Sequence, residues 1–170
     1  MQNTLQMADG RNILPECYAD TLLVEVLGFK KANHQFSIGQ VFKTMEDKMR
    51  KRLAVGVTDR DKKITAKYYG NFQEKVLKHG VRKLKIPNKE HYLIEHIPLE
   101  KFLFQAAKDV DVDPAKYGFN SVKELAKITK SQNIGKNERF KQFLNTLHQK
   151  RTPSFIIIRT WLKELIGEVY

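Results

Sequence analysis

Cysteine occurs once in this 170-residue chain, at Cys17. That leaves neither an internal disulfide nor a cysteine-based zinc cage to hold the fold. No stretch approaches the roughly 18 consecutive apolar residues that a membrane-crossing helix requires. Met1 to Asn12 lacks the basic start and apolar run of a secretory signal. No internal repeat and no low-complexity tract is visible. These absences point to a soluble, cytoplasmic protein with no membrane association. Acid is the other scarcity: 19 Asp plus Glu stand against 31 Lys plus Arg, a formal net charge of +12. What is present is ordinary for a folded chain, with 41% hydrophobic and 29% charged residues. The length fits one domain, or one core carrying a helical extension.

The positive charge is unevenly placed. Residues 1–50 hold six basic and six acidic residues, residues 51–100 hold twelve and six, and residues 101–170 hold thirteen and seven. Within residues 60–89 stand Arg60, Lys62, Lys63, Lys67, Lys75, Lys78, Arg82, Lys83, Lys85 and Lys89, against only Asp61 and Glu74. Tyr68, Tyr69 and Phe72 are interleaved with them. Clustered cations release counterions when they neutralise phosphates, and aromatic rings stack on bases, so this strip reads as a nucleic-acid surface, DNA or RNA. A solvated face that serves only solubility is the alternative.

Hydrophobic periodicity predicts strands alternating with helices, followed by helices alone. Asn12 to Leu14 reads as the end of a strand. Leu22, Leu23, Val26 and Leu27 form a helical stripe over Asp20–Phe29, with Asp20 as N-cap and Gly28 at the stop. Residues 37–52 read as a second helix. Leu53 to Thr58 is an unbroken apolar run closed by Asp59, the pattern of a fully buried strand. A short helix is predicted around Phe72–His79, then strands over Val81–Ile86 and His91–Ile97. From Leu99 the pattern is helical, with a capping box at Ser121 and Glu124. Pro153 opens the last helix, although the β-branched run Phe155–Ile158 leaves a strand open there. Ser131–Asn137 is the linker candidate. The prediction is an α/β fold: a small, mainly parallel sheet flanked by helices in residues 1–98, with a helical extension packed on it in residues 99–170.

The chemistry rests on carboxylates. Asp59 and Asp61 form an Asp-x-Asp pair at the carboxyl end of the buried strand, where ligands of open α/β sheets bind. Residues two apart on extended chain point the same way, so both carboxylates meet one cation. Glu16 and Asp20 span the end of the first strand and the first turn of its helix. If the two strands are adjacent, four carboxylates converge at one sheet end. Such crowding is stable around a hard cation, Mg²⁺ or Mn²⁺.

Glu16-x-x-x-Asp20 and Val55-Gly-Val-Thr-Asp59-Arg-Asp61, separated by a helix, resemble the TOPRIM domain, and most closely its OLD-family nuclease branch. That module holds metal in topoisomerases, bacterial primases and nucleases, and the resemblance covers about residues 12–97. It implies a compact four-stranded parallel sheet, a divalent metal and cleavage or transfer at phosphodiesters. A unit of this length would work with a partner chain or as an oligomer.

On this reading Glu16, Asp20, Asp59 and Asp61 hold metal. Glu95, better placed than Glu100, is the candidate third-strand ligand or base. Lys62 and Lys63 are positioned to neutralise a scissile phosphate. Glu16, Asp59, Asp61 and Lys62 are then the catalytic set. His91 and His96, five apart, match no common shared-metal spacing and read as core or surface residues. Cys17, beside a carboxylate, reads as a structural thiol. The alternative function is a non-catalytic basic module that binds nucleic acid or a protein partner through a degenerate site of this kind.

Overall fold

The computed structural model describes residues 7–60, 64 and 66–167. In chain order the strands are β1 (Ala8–Asp9), β2 (Ile13–Pro15), β3 (Phe29–Lys30), β4 (Ala54–Asp59), β5 (Gln73–Lys78), β6 (Val81–Lys85) and β7 (His91–His96). The α-helices are α1 (Tyr18–Val26), α2 (Ile38–Lys43), α3 (Leu99–Asp109), α4 (Val122–Thr129), α5 (Glu138–Gln149) and α6 (Pro153–Ile166). None of them is long and apolar enough to cross a membrane.

Three of these strands supply the parallel part of the sheet. β4 lies between β2 and β7, parallel to both, with Ile13 opposite Val55 and Asp59 opposite His96. β6 and β5 continue the sheet antiparallel beyond β7, giving the order β2-β4-β7-β6-β5. A separate parallel pair joins β1 to β3.

The α/β class holds, but the main sheet is mixed rather than mainly parallel. The difference arises at β6, which runs antiparallel to β7, and at residues 73–78, read from the sequence as a helix and folded as β5. His79 and Gly80 both have positive φ, 50° and 76°, and Lys78 pairs directly with Val81. Two consecutive positive φ values define the tight hairpin turn whose twist matches paired strands. The turn, rather than the weak helical stripe, decides this segment.

Alternation along the strands divides the core in two. Ile13, Val55, Val57, Val81 and Ile94 face α1, α3, α5 and α6, whose Leu23, Leu103, Phe143 and Ile158 complete one cluster. The same cluster joins the strands to the C-terminal helices, and it includes Ile134 from the polar stretch read as a linker. Leu14, Ala54, Leu84 and Leu93 face the other way, against Val41, Phe42, Met45, Tyr68 and Phe72. The second predicted helix is α-helical only over α2 and then widens into a π turn, Thr44–Lys48.

Gly56 lies in close contact both with Leu93 of β7 and with Val41 of α2. A Cβ there would lie 2.6 Å from Leu93 Cδ2 and 3.0 Å from Val41 Cγ1. Gly56→Ala is therefore expected to destabilise the protein by about 1–3 kcal/mol through overpacking. Equilibrium urea unfolding measures this, and an unchanged midpoint would show that Leu93 and Val41 both give way freely.

In the C-terminal helices the caps follow the sequence. Ser121 Oγ accepts the Glu124 N–H, and Glu124 Oε2 accepts the Asn120 N–H. Phe155, Ile158, Trp161 and Leu162 of α6 are buried. Their spacing is helical, and it overrides the β-branched composition of Phe155–Ile158.

Candidate functional site

β2 ends at Pro15 and α1 starts at Tyr18, so Glu16 and Cys17 form the turn between strand and helix. Cys17 is the N-cap of α1: its backbone is extended (φ −143°, ψ 174°) and its Sγ accepts the Asp20 N–H. Asp20, expected to be the cap, instead stands three residues into the motif and points inward, fully buried. The Cys17 thiol donates back to Asp20 Oδ2 at 3.3 Å. Burial, and then the Asp20 charge, push the thiol pKa strongly up. It is a capping thiol rather than a nucleophile.

Asp59 ends β4 one strand away. The Glu16 N–H donates to the Val57 carbonyl, and Glu16 Oε2 accepts the Asp59 N–H at 2.8 Å. The two carboxyl-bearing turns are thereby tied together, as adjacency of β2 and β4 required.

His96, at the end of β7, completes the group. Being in register with Asp59, it projects from the same sheet face. Its Nε2 lies 2.7 Å from Asp20 Oδ1, and its Nδ1 lies 3.1 Å from Asp59 Oδ1 and 2.7 Å from the Ile97 carbonyl. Donor atoms of Asp20, Asp59 and His96 all fall within 4.8 Å of one another. Asp20 and His96 are buried, whereas the Asp59 side chain is 35% exposed. This is a closed pair with one carboxylate at its lip.

The charges explain how the group stays together. Burial alone would lower the His96 pKa, but the Asp20 and Asp59 carboxylates raise it to about 10. The ring is therefore an imidazolium at neutral pH, donating Nε2–H to Asp20 and Nδ1–H to Ile97. Glu16 is raised to about 7 by burial and by Asp20. Asp59 is raised to about 7 by burial, with the Asp20 and Glu100 charges adding to it and His96 opposing. Carboxylates whose ionised forms are this disfavoured gain from any cation placed at their open side.

Residues of this chain fit such a cation. Asp59 Oδ1 is buried and accepts no hydrogen bond among the described residues, its charged neighbour being the His96 ring at 3.1 Å, and Glu16 stands on the other side of Asp59. While it carries its second proton His96 serves as counter-charge, and Asp59 and Glu16 offer oxygen donors. Hard divalent ions favour this oxygen set.

Several predicted residues lie elsewhere. Glu95 faces the opposite side of the sheet from His96, where its Oε2 takes Arg82 at 2.8 Å. Arg82 also reaches Glu74 and the Tyr69 hydroxyl, so it is held by carboxylates instead of facing a ligand. The Glu100 carboxylate accepts the Thr129 hydroxyl. Asp61, Lys62 and Lys63 lie outside the described residues. In the basic strip, Arg60, Lys67, Lys75, Lys78 and Lys89 are exposed. Lys83 lies over the Trp161 ring and Lys85 over the Tyr92 ring, at 5.4 and 5.6 Å from their centroids.

His96 is the residue that sequence reasoning missed. Its spacing from His91 carried no information, because its partners come from β4 and α1. The usable signal was parity: counting from the end of each strand, Asp59 and His96 terminate neighbouring strands on one face. The chain was compared with family models, with curated proteins and with solved structures, and none of them matches it.

Proposed function

We propose that the chain carries out divalent-metal-dependent phosphodiester chemistry on nucleic acid. The observation that carries this reading is the paired placement of Glu16 and Asp59 at the carboxyl ends of adjacent parallel strands, backed by the buried Asp20–His96 pair. Mg²⁺ or Mn²⁺ held by Asp59 and Glu16 would supply a Lewis acid and a water of lowered pKa beside a phosphodiester. The residues around it have separable duties. Asp20 and His96 fix Asp59 from behind. The Leu99 backbone N–H at the start of α3 favours the charged form of the Asp59 carboxylate. Exposed Arg60 and the lysines of the β5–β6 hairpin offer cations along which a phosphate backbone runs.

One observation favours a second reading, a basic nucleic-acid-binding module without turnover. The imidazolium of His96 already balances Asp20 and Asp59, so the cluster is stable with no ion added.

Titration calorimetry with Mn²⁺ separates the two, using the wild type and Asp59→Ala in parallel with oligonucleotide cleavage assays. Metal-dependent cleavage together with saturable Mn²⁺ binding, both lost in Asp59→Ala, supports the first reading. Salt-sensitive oligonucleotide binding that Asp59→Ala leaves unchanged, with no metal bound by either protein, supports the second.

A further inference from the structure

Three aromatic rings gather where α1 begins after Glu16 and where residues 33–36 run past the end of β2. Tyr18 and His34 stack with centroids 4.1 Å apart and planes 24° from parallel. Phe36 meets both edge-on, 6.4 Å from Tyr18 and 5.1 Å from His34. Phe36 is 77% exposed and Tyr18 37%. Neither residue belongs to the two core clusters.

The local chain holds these rings in place. The Thr21 hydroxyl donates its single hydrogen to the Cys17 carbonyl at 2.9 Å, so the His34 nitrogen 2.9 Å away must be the donor of that pair. The proton is thus on Nδ1. Nε2 is buried and has no partner among the described residues, and a second proton there would be unsatisfied. His34 is accordingly a neutral, fixed ring that backs Tyr18 on one face and Phe36 at its edge.

Position gives the rings their meaning. The Asn33 N–H donates to the Ile13 carbonyl and the Gln35 N–H to the Pro15 carbonyl, both at 2.9 Å. Residues 33–35 therefore run along the edge of β2 that faces away from β4. Phe36 comes level with Glu16, and Glu16 is tied to Asp59 on its other side. Two strand spacings, about 10 Å, separate the backbone at Phe36 from that at Asp59. A single strand covers this in about three nucleotides at the stacked rise of ~3.4 Å, and in fewer when extended. Exposed Lys30 and Lys31 precede His34 and Phe36 in the chain, and exposed Arg60 follows Asp59. Flat π faces flanked by cations suit a ligand that is itself flat and carries phosphate.

We infer that Tyr18, His34 and Phe36 form a stacking platform for an unpaired base of a single-stranded nucleic acid. The platform fixes the strand within reach of the carboxylate site, and its polynucleotide class rests on the function proposed above. A duplex, whose bases are covered on both faces, gains nothing from it.

Fluorescence anisotropy with labelled 12-nucleotide oligo(dT), oligo(U) and a 12-base-pair duplex tests this in the wild type, Phe36→Ala and Phe36→Trp. Phe36 is exposed, so both variants keep the fold. Phe36→Ala should weaken single-strand binding by about 10-fold or more, since base–aromatic stacking contributes ~1–3 kcal/mol. Phe36→Trp should restore it, and the duplex affinity and the salt slope should not change. A loss with either polymer supports the platform and names the polymer it serves. Unchanged single-strand affinity, an equal loss with duplex, or a shift in sedimentation showing that Phe36 joins two copies would overturn it. Cleavage by the wild type with Mn²⁺ is scored separately. Turnover with unaltered Phe36→Ala binding removes the platform and keeps the chemistry. Weakened Phe36→Ala binding without turnover keeps the platform and removes the chemistry.

Discussion

His96→Ala is expected to destabilise the protein by about 3–5 kcal/mol, the usual consequence of removing one partner from a buried charge pair. Nothing else among the described residues replaces it. Asp20 is fully buried, and apart from His96 its side-chain oxygens meet only the Cys17 thiol. The substitution also empties the space beside Phe102, on which the imidazole stacks at 5.1 Å. For a chain of this length the melting temperature should fall by roughly 10 °C. A double-mutant cycle with Asp20→Asn and His96→Gln isolates the pair itself, and a coupling above about 2 kcal/mol is expected. Independent effects of the two substitutions would mean that His96 only fills space.

The second large effect is on pH. Glu16 and Asp59 rise to about 7 from ordinary values of 4.5 and 3.8, and His96 rises to about 10 from 6.5. Each group thus binds its proton more tightly in the folded protein than in the unfolded chain. Stability from the carboxyls is full below about pH 4 and is lost as pH rises through 7. That from His96 is full below about 6.5 and is lost towards 10. Asp59 is partly exposed and screened, so the cluster as a whole should contribute a fall of about 1–3 kcal/mol between pH 5 and pH 8. His34 and His148, whose pKa values burial lowers, act in the opposite sense. The quantity to read is therefore the difference between wild type and Glu16→Gln, by thermal unfolding at a series of pH values. Mn²⁺, which favours ionised carboxylates, should raise the melting temperature more at pH 8 than at pH 5. A wild type that tracks Glu16→Gln at every pH would show that folding does not shift the Glu16 pKa.

Much of the site's scaffold was legible. The buried run at Leu53–Thr58, its closing Asp59 and the helix after Glu16 are local patterns, and they folded as read. The Ser121 capping box and the Pro153 helix start were legible for the same reason. What escaped depended on pairing between distant segments. β5 was hidden because a two-residue turn, not side-chain periodicity, determines its partner. His96 and Glu95 exchanged expected roles because face is set by register with β4, which no single segment encodes. Asp20 lost its cap role to Cys17 because a buried counter-ion drew its carboxylate inward.

β7 has a consequence for how the chain finds its fold. Its last two residues carry opposite charges to opposite faces: Glu95 meets Arg82, and His96 meets Asp20 and Asp59. A slip of one residue against β4 would exchange them. Glu95 would then be buried among carboxylates, and His96 would face a guanidinium. Both encounters are repulsive in a dry interior, where leaving such groups mispaired costs several kcal/mol. The apolar residues of β7, Leu93 and Ile94, are similar enough in size to accept either face. Selection between the two registers therefore falls to the polar residues, the charged pair at one end and at the other His91, buried between Tyr68 and the Met49 carbonyl, and a chain with Glu95→Leu and His96→Leu should fold with less certainty about which way its central strand lies.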